Sequence, residues 1–202
     1  MSNIRLFIAR HGETEYNRKG LLQGRGIDAP LNETGLRQAE AISNYLIQYT
    51  PNRLVSSSMQ RAWQTAEPIE KKAGLTIMKN GDLDEMDFGK FEGKPYLDAS
   101  EELQDLQKSW MSGDVTRQIP NGESPRDVFD RANGAVQDLL MNSDDGVMVM
   151  VLHGRLIRIL LSEWLGFGLA NMHKVEHQNG ALYQLIYNGK FESVYLNKTD
   201  HL

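Results

Sequence analysis

Short apolar runs alternate with stretches of helical period along the chain. Ile4 to Ala9 and Val147 to Leu152 are almost continuously apolar, the pattern of strands buried on both faces of a largely parallel sheet. Leu54-Val55 is a third, shorter run, which gives way to Ser56-Ser57-Ser58 before a helical stretch opening around Met59 and Arg61. Leu36, Ala39, Ile42, Tyr45, Leu46 and Tyr49 fall on one face of a crossover helix that Asn32 or Thr34 can cap. Ser124-Pro125 reads as an N-cap followed by a first-turn proline, after which Val128, Ala132, Ala135, Val136 and Leu139 line one face. Leu156 to Leu165 is a further helix, closed by Gly166. Ala181 to Tyr187 and Phe191 to Leu196 flank Asn188-Gly189, the signature of a β-hairpin, here expected at a sheet edge.

This alternation predicts a three-layer α/β/α fold with a mostly parallel central sheet and a C-terminal antiparallel hairpin. No linker, repeat or low-complexity tract divides the chain, so residues 1–202 are expected to form one domain. Pro95 to Ile119 is expected to form a helical cap, with Tyr96, Leu97, Leu103, Leu106, Trp110 and Met111 as its apolar face. In such sheets ligands bind beyond the carboxyl ends of the strands. Arg10-His11, the Ser57-to-Arg61 turn and His153-Gly154 all fall at those ends, so three distant segments should meet in one crevice.

Composition narrows the chemistry. Hydrophobic residues make up 40% and charged residues 24%, with a mean hydropathy of -0.48, the balance of a globular protein. No run approaches the roughly 18 apolar residues of a membrane span, and the N-terminus lacks a secretory pattern, so the expected location is cytoplasmic and away from membranes. With no cysteine there is neither a disulfide framework nor a thiolate nucleophile. The net charge of -5 gives no global attraction to nucleic acid, and any bound anion must be held by a few placed cations. His173-Lys174-Val175-Glu176-His177 matches a zinc-protease spacing, but Gln178-Asn179-Gly180 follows at once, so both histidines are not expected on one helical face. No metal is expected. Gly24-Arg25-Gly26 lacks the third glycine of a dinucleotide loop, and no cofactor is expected.

A crevice holding Arg10, Arg61, His11 and His153 concentrates cationic groups whose mutual repulsion an anion would relieve. Phosphate is the natural occupant, because an arginine fork fits its oxygens and a neutral imidazole can attack phosphorus in line.

Arg10-His11-Gly12-Glu13-Thr14-Glu15-Tyr16-Asn17 is similar to the signature of the histidine phosphatase superfamily, which includes the bisphosphate-dependent phosphoglycerate mutases. The resemblance continues through Gly20 to Gly24, Pro30 to Gly35, Ser57 to Ala62 with Thr65-Ala66, Leu83 to Gly89, Phe91-Glu92-Gly93, Gly122-Glu123-Ser124, His153-Gly154 and Asn179-Gly180. It implies that His11 is phosphorylated and then hydrolysed, that Arg10, Arg61 and His153 hold the phosphoryl group, and that Asn17, Gln23, Gly24 and Gly154 surround it. Glu85 would protonate the leaving oxygen and later take a proton from water, a role that requires its setting or the bound phosphate to keep the proton on the carboxyl.

Two positions depart from the family pattern. Leu152 stands where serine is frequent, and Arg155 stands where a small residue is frequent. Arg155 could add a cation for a second anionic group. The mutase branch carries a longer stretch after the acid motif with two adjacent arginines, which this chain lacks, and Phe88 to Gly93 resembles the phosphatase branch. The expected function is hydrolysis of a small phosphorylated metabolite, with a mutase or a non-catalytic phospho-ligand module as rivals. An antiparallel edge permits a homodimer without specifying one.

Overall fold

The computed structural model describes residues 3–95 and 101–202; Tyr96 and Leu97 of the expected cap face lie outside them. In chain order the elements begin with β1 (Ile4–Arg10), α1 (Glu15–Arg18), α2 (Glu33–Leu46), β2 (Arg53–Ser57), α3 (Gln60–Ala73) and β3 (Met78–Asn80). They continue with α4 (Glu101–Met111), α5 (Pro125–Met141), β4 (Gly146–Leu152), α6 (Gly154–Trp164), β5 (Leu182–Tyr187) and β6 (Phe191–Lys198). Among the described residues, six strands form one sheet in the order β3-β2-β4-β1-β5-β6. β3, β2, β4 and β1 are parallel, and the β5–β6 hairpin adds to β1 antiparallel and ends at the edge.

The apolar runs become strands because both faces are covered. Ile4, Leu6 and Ile8 of β1, with Met148, Met150 and Leu152 of β4, pack into a core shared with α5 and α6. The alternate residues Phe7, Ala9, Val149 and Val151 pack on the other face with Ile42 and Leu46 of α2 and Ala62, Ala66 and Ile69 of α3. Leu152 therefore spends its side chain on the α5/α6 core.

Several boundaries differ from those the pattern predicts. Asn32 is the cap of α2, accepting from Gly35 N, but Leu36 is exposed and the buried stripe runs through Gly35, Ala39, Ile42, Ser43 and Leu46. α2 ends at Leu46, and Tyr49 lies in a following 3₁₀ turn. β3 carries no apolar run, since it pairs only with β2 and leaves Met78 and Lys79 exposed. In the expected cap segment, α4 buries Leu103, Leu106 and Trp110, whereas Met111 is exposed. The helix after β4 begins at Gly154, two residues earlier than its apolar pattern, for a reason found in the site.

Register positions the crevice. Arg10 of β1 pairs with Leu152 of β4, so the next residues, His11 and His153, leave the sheet side by side. β2 runs beside β4 with Ser56 opposite Val151, which brings the Ser57-to-Arg61 turn to the same end.

Candidate active site

The loop after β1 is pinned before its side chains can do anything. His11 N donates to Leu152 O at 3.0 Å, Gly12 N donates to Thr65 Oγ1 of α3 at 3.0 Å, and Gly180 N donates to His11 O at 3.3 Å. A Cβ on Gly12 would lie 2.4 Å from Gly35 O, and one on Gly35 would lie 2.2 Å from Glu13 O. Only paired glycines let the start of α2 press this closely on the loop.

His11 is 3% exposed, and its Nδ1 lies 2.7 Å from Gly12 O. A carbonyl can only accept, so Nδ1 carries the proton and the neutral ring keeps its lone pair on Nε2. Burial, with Arg61 and Arg10 nearby, holds the ring well below the usual histidine range and hence neutral.

Arg61 is fully buried on the first turn of α3, with Nη1 donating to Ile27 O at 3.0 Å and Nη2 to Gly24 O at 3.3 Å. Its desolvation lowers the guanidinium to about 10, still cationic at neutral pH. His153, also fully buried, has its ring centroid 5.2 Å from that of His11. Its Nε2 lies 2.7 Å from Ser57 Oγ, which gives its one proton to Asp84 Oδ1 at 2.8 Å and also accepts from Met59 N at 3.1 Å. Hydrogen accounting makes His153 Nε2 the donor, leaving Nδ1 aimed elsewhere. Burial, then Arg61, His11 and Arg10, hold this ring neutral too.

Arg10 Nε, Arg61 Nε and His153 Nδ1 are all buried without a hydrogen-bond partner. Buried polar atoms rarely stay unpaired, and three of them beside the free nitrogen of His11 describe a site built to receive an acceptor-rich group.

Glu85 is buried to 5% exposure, and its carboxylate caps α6. Oε2 accepts from Arg155 N at 3.0 Å and Oε1 from Leu156 N at 3.0 Å and Met86 N at 2.9 Å. This distant cap is why α6 starts at Gly154: first-turn N–H groups find their acceptor on another segment. Arg131 of α5 fixes that segment from behind, donating to Asp82 O, Asp84 O and Glu85 O at 2.7, 2.9 and 3.1 Å while paired with Glu123 at 2.7 Å.

These groups meet at a cleft of about 350 Å³ lined by Arg10, His11, Asn17, Gln23, Glu85 and Gly154 together with Leu21, Phe88, Arg155, Arg158, His177 and Asn179, among others. Arg61, His153 and Gly24 lie behind this lining, Gly24 contributing the carbonyl that holds Arg61. Gln23 Oε1 accepts from Thr14 Oγ1 at 2.7 Å, and Asn17 Oδ1 accepts from Thr14 N at 3.2 Å and Asn179 Nδ2 at 2.9 Å. All nine predicted site residues thus gather at one end of the sheet.

The model of the histidine phosphatase superfamily (branch 1) matches residues 6–199. The chain belongs to this superfamily. A Hydrogenobacter thermophilus protein, "Putative phosphoserine phosphatase 2", is 31% identical over 198 residues, covering 98% of this chain and 97% of the relative. "Probable phosphoglycerate mutase GpmB" of Yersinia pestis is 29% identical over 184 residues, 91% of this chain and 85% of the relative. Among solved structures, a mycobacterial glucosyl-3-phosphoglycerate phosphatase in complex with VO3 superposes with a TM-score of 0.86 at 28% identity, over 96% of this chain and 99% of that one. By family this histidine phosphatase is an enzyme of phosphoric monoester hydrolysis.

Sequence reasoning missed part of this enzyme's cleft. Arg158 could have been found from Arg155, because i and i+3 share a helical face. His177 was legible only as half of a zinc-like spacing; in the fold that spacing lies on a 3₁₀ turn, Leu169–Lys174, followed by extended chain. Asp84 looked like one acid of a solvated loop, yet it accepts from Ser57 Oγ and from Ser58 N and Oγ. No local pattern marks Arg131, whose backbone carbonyl partners lie 46 to 49 residues away.

Two buried histidines and a half-buried one make a pH prediction. His11 and His153 are held well below their ordinary value and His177 near about 3, mainly by desolvation, so folding keeps them neutral. Their folded values lie below the unfolded one, so their contribution is complete above about pH 6.5 and is lost as pH falls, by about 1.4 kcal/mol per pH unit for each ring kept neutral. Thermal melts between about pH 7.5 and 5 should show Tm dropping with acidity; a flat profile would contradict the assignment.

Proposed function

We propose that the protein is a metal-independent phosphatase of small phosphate monoesters that works through a phosphohistidine on His11. The observation that carries this reading is the fixed tautomer of His11: with Nδ1–H tied to Gly12 O, the lone pair of Nε2 is free beside the buried, unpartnered Arg10 Nε, Arg61 Nε and His153 Nδ1. Substrate phosphate would be gripped by Arg10 and Arg61, with the Gly154 backbone and the amide NH2 of Asn17 around it. A dianion between these groups offsets the burial and the repulsion that keep His153 neutral, so binding favours a proton on Nδ1 and a further donor to phosphate.

Nε2 of His11 then forms the N–P bond as the P–O bond to the leaving group breaks, and the departing oxygen takes its proton from the Glu85 carboxyl. Three backbone N–H groups fix the Glu85 carboxyl at the cleft, and the proton it donates is taken up from solvent as the phosphate dianion binds. In the second half, Glu85 removes a proton from water, whose oxygen attacks phosphorus and returns His11 to its neutral form. The arginines and histidines spread the charge of both transition states, which is most of what phosphoryl transfer asks of a protein.

The test is turnover in EDTA of p-nitrophenyl phosphate, phosphoserine, 3-phosphoglycerate, sugar bisphosphates and ribazole phosphate, beside a mutase assay primed with 2,3-bisphosphoglycerate. Phosphate release without isomerisation of phosphoglycerate is the expected result. Isomerisation outpacing release, or no turnover of any member, would overturn it.

A further inference from the structure

Behind the phosphate floor, a buried hydroxyl joins His153 to a carboxylate that the phosphatase chemistry above does not use. His153 Nε2 lies 2.7 Å from Ser57 Oγ, and that hydroxyl gives its single proton to Asp84 Oδ1 at 2.8 Å. Ser57 is fully buried and Asp84 is 7% exposed. Asp84 Oδ1 also accepts from Ser58 N and Ser58 Oγ, each at 2.9 Å, and Oδ2 lies 2.9 Å from the same Ser58 hydroxyl. Its ion-pair partner, Arg25 Nε at 3.6 Å, belongs to a side chain that is 39% exposed, so solvent screening leaves much of the Asp84 charge to act inward.

The direction of these hydrogen bonds is forced. A carboxylate only accepts, so Ser57 spends its proton on Asp84 and can only accept from the imidazole. His153 therefore keeps its proton on Nε2, and its buried Nδ1, which has no partner, presents a lone pair. A phosphate oxygen is an acceptor as well, so this tautomer cannot hydrogen-bond phosphate until Nδ1 takes a proton. The ring is then an imidazolium, bonded on one side to phosphate and on the other, through Ser57, to Asp84.

The surroundings oppose that charge. Arg61 of α3, His11 and Arg10 at the end of β1, and Arg131 of α5 all act against a proton on the ring, as does burial itself. Asp84 and Glu85 are the buried carboxylates among the described residues, and Glu85 spends its oxygens on backbone N–H groups. Asp84 is the one that a chain of hydrogen bonds connects to the imidazole. A carboxylate behind an imidazole orients the ring and stabilises its protonated form, and in a low-dielectric interior an intervening hydroxyl transmits the polarisation.

We propose that Asp84 is a positioning residue that, through Ser57, fixes the His153 tautomer and acts as the counter-charge of the His153 imidazolium in the phosphate-bound enzyme. The inference rests on reading the floor as the phosphoryl site. Phosphate binding is then coupled to proton uptake: one proton leaves solvent and bonds to His153 Nδ1 as the dianion arrives. Asp84 itself lies outside the cleft lining and acts only through Ser57 and the ring.

Asp84→Asn separates charge from geometry. The amide oxygen can still accept from Ser57 Oγ and Ser58 N, and the NH2 group can donate to Ser58 Oγ, so the tautomer is kept while the charge is lost. NMR titration of protein labelled with 15N-histidine and saturated with inorganic phosphate reads the protonation of both ring nitrogens. In the wild-type complex His153 should carry a proton on each at neutral pH and lose the one on Nδ1 as pH rises. In Asp84→Asn that loss should come about one pH unit lower, and phosphate affinity below the wild-type midpoint should fall by up to about tenfold. Ser57→Ala keeps the carboxylate but removes the link; it should shift the midpoint in the same direction, and it stands in if the amide variant does not fold. A role confined to bracing the loop would lower Tm and leave the midpoint in place. An unchanged midpoint in Asp84→Asn, or in Ser57→Ala where it stands in, or a ring that stays neutral in the wild-type complex, would overturn the proposal. Failure of the floor reading looks different: the wild-type protein would bind no inorganic phosphate.

Discussion

His11→Ala is expected to lower phosphate release by about four orders of magnitude or more, because it deletes the atom that forms the N–P bond. Nothing nearby can substitute: His153 spends Nε2 on Ser57 and is buried behind His11, and the chain has no cysteine. The arginines survive the substitution, with Arg61 still held by Ile27 O and Gly24 O, so the variant should keep its affinity for inorganic phosphate. Two measurements check this. Wild-type protein quenched during turnover of a labelled substrate should carry acid-labile, base-stable phosphate that the variant lacks, and phosphate should still raise the Tm of the variant. A variant retaining more than about a hundredth of wild-type activity would place the nucleophile elsewhere.

Glu85→Gln is expected to have the second-largest effect, and its size should depend on the leaving group. Loss of a general acid costs about 10² to 10⁴ in rate when the departing alkoxide needs a proton. For p-nitrophenolate, which leaves well unprotonated, the first step should suffer far less, leaving only the hydrolysis of the phosphohistidine slowed. A burst of p-nitrophenol followed by slow turnover is therefore expected from the variant, and a smaller loss for p-nitrophenyl phosphate than for 3-phosphoglycerate. Equal losses on both substrates with no burst would remove Glu85 from the acid role. The substitution also has a structural cost, because an amide has one acceptor oxygen where the carboxylate meets Arg155 N, Leu156 N and Met86 N with two. An NH2 group facing a helix N-terminus leaves at least one buried donor unpaired, worth about 1–3 kcal/mol, so the variant should also melt lower.

That double role explains why Glu85 was hard to select from the sequence. Asp82, Asp84, Asp87 and Glu92 crowd the same stretch, and nothing local distinguishes an acid that caps a helix 70 residues later from one that faces water. Family register singled it out, and the fold supplied the physical difference. The same holds for α6, whose first turn lacks an apolar signal and is stabilised by Glu85, so its start could not be read from Leu156 onward alone. Leu36 illustrates the opposite failure. It fits the apolar stripe of α2, yet Gly35 is what meets the site loop, and Leu36 is turned to solvent.

By itself, the sequence determined every strand but the edge strand β3, the main helices, the parallel core and the meeting of Arg10, His11, Arg61 and His153. Those follow from local periodicity and from the rule that parallel strands deliver their loops to one end, both of which act over short stretches of chain. Only the tertiary structure decided which nitrogen of each histidine is available, which acid caps α6, and that Arg155, Arg158 and His177 share a wall. The His11 tautomer rests on the carbonyl of the next residue, but the others depend on hydrogen bonds or packing between segments tens of residues apart, such as Ser57 with His153 or Gly154 with His177, and no local pattern encodes such partners.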